Sequence, residues 1–186
     1  MITPDVTKVI FLDIDGVLNS WGSKSHCGIF TGIDRDKTRR LAKIVNETGA
    51  SIVLSSSWRH DWIPDHKYRE HIDIYTAPYV GKYLKNHLWK KGGLTAIDKI
   101  SRIGEFDTYR DQEILKYLAD HPHIKYYVIL DDAPFLFDLT NPAIVNHIVL
   151  TDDKEGLTDK EAETAIQILS SEGGISDGSR YSSLYC

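Results

Sequence analysis

The chain has 186 residues, 41% of them apolar, and a net charge of −5 at pH 7, which suffices for one domain with a full core and weighs against a wholly basic nucleic-acid binder. No apolar stretch approaches the roughly 20 residues of a membrane helix, and Met1-Ile2-Thr3-Pro4-Asp5 offers no charged leader before an apolar core. A cytoplasmic protein with no membrane association is therefore expected.

In chain order, Val9-Ile10-Phe11-Leu12-Asp13 reads as a buried strand, a short run of β-branched, aromatic and other apolar residues bounded by Gly16. The stretch from Ser20 to Ile33, rich in Gly and Ser, is expected to form a loop or small hairpin beside the end of that strand. Asp34 then stands where a helix cap belongs, Leu41, Ile44 and Val45 recur at helical spacing, and Gly49 stops the helix. A second buried strand, Ser51-Ile52-Val53-Leu54, follows at once and runs into Ser55-Ser56-Ser57-Trp58-Arg59. Strand, helix, strand with short joints is a βαβ unit, which implies a parallel sheet covered by helices.

Residues 58–109 break this rhythm and are expected to form a small cap-like insertion, with Val80, Leu84 and Leu88 marking a helix in Tyr79 to Lys90 that Gly92-Gly93 ends. From Gly81 to Arg102 six basic residues face only Asp98, a local charge of +5 against −10 for the remainder, which suits steering of an anionic substrate or simply a solvated face. The βα pattern then resumes. A helix from Arg110 to Leu118 is broken at His121-Pro122, and a third strand, Tyr126-Tyr127-Val128-Ile129-Leu130, ends in Asp131-Asp132. A fourth strand is expected at Val145 to Leu150, and Thr158 with Glu161 is a capping-box signature for a last helix through Leu169. Residues 1–170 thus read as a single domain and 171–186 as a flexible tail. Cys27 and Cys186 have neither metal-ligand spacing nor a framework count and read as reduced thiols; His60, His66, His71 and His87 lack the compact spacing of a zinc site.

Three strand ends deliver polar residues to one edge: Asp13 and Asp15, then Ser55, then Asp131 and Asp132. Taken singly, an aspartate after a strand is commonly a turn residue or helix cap, and a serine run is commonly turn chemistry. Their joint appearance in this order, each behind an apolar strand, outweighs those readings. The carboxyl edge of a parallel sheet is where ligands of α/β proteins bind. Carboxylates crowded there are costly unless something positive joins them, and hard oxygen ligands of this kind suit magnesium. A metal, a phosphate or both is expected.

The motifs resemble those of the haloacid dehalogenase-like (HAD) superfamily of phosphatases and phosphotransferases. Asp13-Ile14-Asp15-Gly16-Val17-Leu18 matches the first motif, Ser55 after Ile52-Val53-Leu54 the second, and Asp131-Asp132 the fourth. The third, ordinarily a lysine, falls on Arg110, with Lys99 or Lys116 in reserve. The flavour of Leu12 to Asn19, Ser55 to Arg59, and Arg110 with Glu113-Ile114 is similar to the HAD domain of Swiss Army Knife RNA repair proteins. The resemblance implies a three-layer Rossmann-like α/β fold with a central parallel sheet and a small cap insertion. It implies Asp13 as nucleophile, Asp15 as general acid and base, and Ser55 and Arg110 as phosphate donors, with Ser56 and Arg59 toward substrate; Arg59 could equally pair with Asp61. Mg2+ would be held by Asp13, Asp131, Asp132 and the backbone carbonyl of Asp15, the division between Asp131 and Asp132 left open. The substrate expected is a phosphomonoester, with RNA or DNA 3'-phosphate ends preferred because a short cap leaves the edge open to bulky substrates. A nucleotidase or small-molecule phosphatase, a phosphotransferase, and a non-catalytic binding module of the same fold are the alternatives. Tyr79, Tyr83 and Trp89 among basic residues suit either single-strand stacking or packing of a small cap. Oligomeric state leaves no signal in the sequence.

Overall fold

The computed structural model describes residues 4–60, 83–91, 94, 97–100 and 109–171. Strand β1 (Lys8–Leu12) leads into a small hairpin, β2 (His26–Cys27) and β3 (Phe30–Thr31), then helix α1 (Arg35–Thr48) and β4 (Ser51–Leu54). Further along come β5 (Ile97–Lys99), α2 (Arg110–Asp120), β6 (Tyr126–Asp131), the short α3 (Pro142–Val145), β7 (Ile148–Leu150) and α4 (Asp159–Ser170).

Val9 through Leu12 are all buried, so β1 has two faces to cover, and the centre of a helix-flanked parallel sheet covers both. β1 pairs in parallel with β4 on one side and β6 on the other; β5 extends the sheet beyond β4 and β7 beyond β6, giving five strands in the order β5-β4-β1-β6-β7. Side chains alternate between the two faces as the strand period requires. Ile10, Leu12, Ile52, Leu54, Val128 and Leu130 share one core with Leu41 and Ile44 of α1 and with Ala165 and Ile168 of α4. Val9, Phe11, Val53, Ile129 and Ile148 share the other with Ile114 and Tyr117 of α2 and Ile144 of α3. The result is the expected α/β three-layer, Rossmann-like arrangement.

The helix ends show how local sequence fixes the joints. Gly49 takes φ +70 and its N–H bonds the Val45 carbonyl at 2.8 Å, a left-handed cap that turns α1 straight into β4. Thr158 and Glu161 form the expected capping box at the start of α4. Asp34 holds the cap position of α1 but makes no side-chain cap bond. Its carboxylate instead accepts from Ser23, from Ser25 at 3.0 Å and from Lys37 at 2.9 Å, tying down the base of the 20–33 loop. Burial pushes the Asp34 carboxyl up, but the hydrogen bonds from Ser23, Lys37 and Ser25 prevail and hold it below the usual carboxylate range.

Three expectations about elements need correction or completion. The strand expected from Val145 begins only at Ile148, because Asn141 caps a helical turn, with Pro142 at its first position and a bond from the Ala143 N–H to Asn141 Oδ1 at 3.0 Å. The stretch 58–109 contributes β5 to the central sheet, which a three-residue edge strand with two charges did not announce. Of the helix expected over Tyr79 to Lys90, Lys85–Lys91 is described, wound as a π-helix, with Leu84 and Leu88 buried in the core that holds Ile10 and Leu12. Its Tyr79 to Lys82 portion, the Gly92-Gly93 stop, the side chain of Trp89, and Asp61, Trp62, His66 and His71 lie outside the described residues, as does the tail from 172 onward with Cys186. Tyr83 packs against Trp58, with ring centroids 6.4 Å apart, and its hydroxyl accepts from the Ile33 N–H at 2.8 Å. No helix among the described residues is long and apolar enough to cross a membrane.

Candidate active site

The register of the sheet places the site. Leu12 of β1 stands level with Leu54 of β4 and with Leu130 of β6, so the next residues, Asp13, Ser55 and Asp131, leave the sheet in one row. The ladder itself continues one step: the Asp13 N–H bonds the Leu130 carbonyl at 2.9 Å, and the Ser55 N–H bonds the Leu12 carbonyl at 3.0 Å. β1 is also where the chain order reverses, its neighbours β4 and β6 lying on opposite sides, and the crevice at such a switch point is the ligand position of open α/β sheets.

Beyond Asp13 the backbone turns over a buried Ile14, whose carbonyl accepts from Val17 at 3.2 Å and Leu18 at 2.8 Å. Gly16 takes φ +67, and a Cβ built there would lie 2.1 Å from Asp132 Oδ2. Only a glycine lets the first loop lie against the carboxylate of the last. Asn19 completes the turn, accepting from the Gly16 N–H at 2.9 Å and donating from Nδ2 to Asp15 Oδ1 at 2.8 Å. The other oxygen of Asp15 accepts from the indole Nε1 of Trp58 at 2.9 Å. Asp13 is buried and Asp15 exposed, so residues two apart meet opposite environments.

Asp13, Asp131 and Asp132 each bring a carboxylate oxygen within 4.8 Å of the others, the one such group of potential metal ligands among the described residues. Arg110, at the first turn of α2, reaches into this cluster: Nη1 donates to Asp13 Oδ2 at 2.9 Å and also to Asp131 Oδ2. Burial works against the Arg110 cation, but the charges of Asp13 and Asp131 prevail and raise its pKa above the ordinary value. Burial, with the Asp13 charge added, pushes Asp131 up to about 7, while the Ala133 N–H bonds its other oxygen at 3.0 Å. Burial and Asp13 likewise raise Asp132. Three carboxylates against one guanidinium leave negative charge uncompensated, and an all-oxygen donor set fits a hard cation such as magnesium.

The second strand end is more enclosed. Ser55 is fully buried, and among the described residues its hydroxyl oxygen finds no hydrogen-bond partner, an exception that a ligand oxygen would remedy. Ser56, also buried, accepts at Oγ from the Trp58 N–H at 3.3 Å. Arg59 Nη2 donates to both carboxylate oxygens of Glu113, at 2.7 and 2.9 Å, and Nη1 donates to the Ser55 carbonyl. Both side chains of this pair are buried, and Glu113 lies on α2 one turn beyond Arg110. Lys116 pairs with Asp120 at 2.7 Å on the exposed side of α2, so among the described side chains Arg110 is the cation of α2 that reaches the carboxylates; the side chain of Lys99 lies outside them.

Asn19, Trp58 and Glu113 therefore join the site without having been assigned roles from the sequence. Asn19 directly follows the first motif, and an amide four residues after Asp15 is the one local signal that was there to read. Trp58 meets Asp15 across 43 residues and Glu113 meets Arg59 across 54, which no local pattern announces.

A family model described as the HAD domain in Swiss Army Knife RNA repair proteins matches residues 9–162, most of the chain. No curated protein and no solved structure gives a match. With the aspartates at the ends of β1 and β6, the serine at the end of β4 and that match, the chain belongs to the HAD domain family of Swiss Army Knife RNA repair proteins, within the haloacid dehalogenase-like phosphatases.

Proposed function

We propose that this domain is a magnesium-dependent phosphomonoester hydrolase that works through an aspartyl-phosphate on Asp13 and accepts polynucleotide 3'-phosphate ends. The observation that carries the reading is the buried Asp13 carboxylate, oriented by the Ile14 N–H on one oxygen and by Arg110 on the other, each at 2.9 Å. A carboxylate so held is an in-line nucleophile whose position is already determined.

An oxygen of Asp13 attacks phosphorus, the bond to the ester oxygen breaks, and Asp15 gives that oxygen its proton. Asp15 then takes a proton from water, whose oxygen attacks the phosphorus of the acyl phosphate; the P–O bond to Asp13 breaks and inorganic phosphate leaves. Arg110 balances charge on the equatorial oxygens, and the Ser55 hydroxyl donates to one of them. Asn19 and Trp58 hold both oxygens of Asp15, so its carboxyl is aimed before substrate arrives. Magnesium, held by Asp13, Asp131 and Asp132 with the Asp15 carbonyl, would supply further positive charge beside the transferring group. The RNA-repair description of the family supports a polynucleotide end as substrate.

The test is release of phosphate from a 3'-phosphorylated oligonucleotide and from an aryl phosphate with added magnesium, native chain against Asp13→Asn. A loss of at least about a thousandfold in the variant is expected, since the amide cannot form the intermediate. Turnover unchanged by the substitution removes Asp13 as nucleophile, and turnover of mononucleotides or sugar phosphates with neglect of every oligonucleotide moves the substrate to small molecules.

A further inference from the structure

Large apolar side chains that remain exposed are unevenly placed. Among the described residues they are Trp21, Ile29, Phe30, Tyr109 and Phe135, between 43 and 88% exposed. Trp21, Ile29 and Phe30 lie in the connection after β1, Tyr109 immediately before Arg110 in the connection after β5, and Phe135 four residues beyond Asp131 in the connection after β6. In a sheet whose strands are all parallel, those connections leave from the same edge, the one that carries Asp13 and Asp131. Scattered exposed hydrophobics need no explanation, but five confined to the catalytic edge do.

Phe30 is the one whose relation to the chemistry is fixed by contacts. Its ring centroid lies 6.5 Å from that of Trp58, tilted by 58°. The Trp58 indole N–H in turn holds the Asp15 carboxylate at 2.9 Å. Phe30 is thus one ring removed from the group that meets the departing ester oxygen, on the leaving-group side of the phosphorus. The hairpin that carries it is anchored: Cys27 and Phe30 pair across β2 and β3, and Ile33 is bonded to Tyr83. An exposed ring on a fixed support is a stacking surface, ordered before the ligand comes.

We infer that Phe30 is a specificity-determining residue, a platform on which the base of the terminal nucleotide stacks while its phosphate occupies the Asp13 site. The inference rests on the phosphatase reading and deepens it by saying which side chain recognises the leaving group. Stacking on a ring tolerates any base, so the platform selects for a nucleoside next to the phosphate without selecting its sequence.

The experiment compares kcat/KM of the native chain, Phe30→Ala and Phe30→Tyr on two esters, a dinucleotide 3'-monophosphate and glycerol 2-phosphate, with magnesium. Phe30→Ala is expected to lose at least about fivefold on the dinucleotide, mostly in KM, while glycerol 2-phosphate hydrolysis stays within about twofold. Phe30→Tyr, which keeps a ring, is expected to retain native values on both. Equal losses on the two esters, or none on either, overturn the platform and leave the phosphatase reading standing; the second result would assign the apolar rim to something other than substrate. No turnover of either ester by the native chain overturns the phosphatase reading, and the platform falls with it. Thermal unfolding of both variants serves as control for folding, which an exposed position should leave unaltered.

Discussion

Asp15 is held by two donors that differ in what can be removed. Asn19 belongs to the same turn and also supports Gly16, so changing it disturbs the loop, whereas Trp58 reaches Asp15 from the next strand end. Trp58→Phe keeps a ring against Phe30 and Tyr83 and removes the indole donor together with part of the ring volume. A hydrogen bond to a charged group is worth about 1.5–3 kcal/mol, so a freed Asp15 is expected to lose roughly tenfold in kcat on an alkyl phosphate, whose leaving oxygen needs the proton. On a nitrophenyl phosphate, whose leaving group departs readily as the anion, the loss should be about twofold or less. Equal losses on both would mean that Trp58 does not govern proton transfer. The first motif was legible down to Asp13, Asp15 and Gly16, because each is required by a local condition: a strand end, a turn, a positive φ. The partner of Asp15 was not, because an indole N–H 43 residues away becomes relevant only when β1 and β4 lie side by side.

At the scale of elements, the Arg59–Glu113 pair joins the turn after β4 to helix α2. Arg59 braces the Ser55 carbonyl while Glu113 stands one turn from Arg110, so the pair spans the two donors assigned to phosphate. The sequence expectation set Arg59 toward substrate or Asp61; Asp61 lies outside the described residues, and the guanidinium pairs with Glu113 in a part of the protein where both charges are buried. Breaking a buried pair from one side leaves an uncompensated charge and costs about 3–5 kcal/mol, whereas replacing both partners with apolar residues is often neutral. Glu113→Gln is therefore expected to lower unfolding free energy in urea by about that amount, and the double replacement Arg59→Met with Glu113→Leu to recover most of it. If the double variant regains stability but not kcat, the pair also sets the place of Arg110. Glu113→Gln as stable as the native chain would contradict the burial of the pair.

For the whole molecule, two helix layers hold five parallel strands in register, and stability depends on groups far from the site. His147 lies between α3 and β7, with Nδ1 3.0 Å from the Tyr127 carbonyl and its ring stacked on Tyr127 at 4.0 Å. Burial lowers its pKa below the ordinary 6.5, only partly offset by the bond to Tyr127. A depressed folded-state pKa means that the unfolded chain takes up the proton first, so stability is complete above about pH 6.5 and is lost as pH falls through the lower folded value. The raised carboxyls of Asp131 and Asp132 act in the opposite sense over the same range, so the His147 contribution is read as a difference: between pH 8 and 5 the melting temperature of the native chain should fall relative to that of His147→Gln once the pH drops below about 6.5, and a constant difference would place the acid sensitivity elsewhere. The sequence by itself determined the apolar strands, the helix between the first two, the αL stop at Gly49, the capping box at Thr158 and the carboxylates and serine at the strand ends. All of these are written in neighbouring residues, since strand burial, capping and turn formation act over a few positions. Only the tertiary structure decided that Leu12, Leu54 and Leu130 stand level, that Arg110 bridges Asp13 and Asp131, that Glu113 takes Arg59, and that β5 joins the sheet. The reason is physical: those relations depend on strand pairing and on side-chain reach across packed elements, and residues 21 to 118 positions apart acquire them only when the sheet closes.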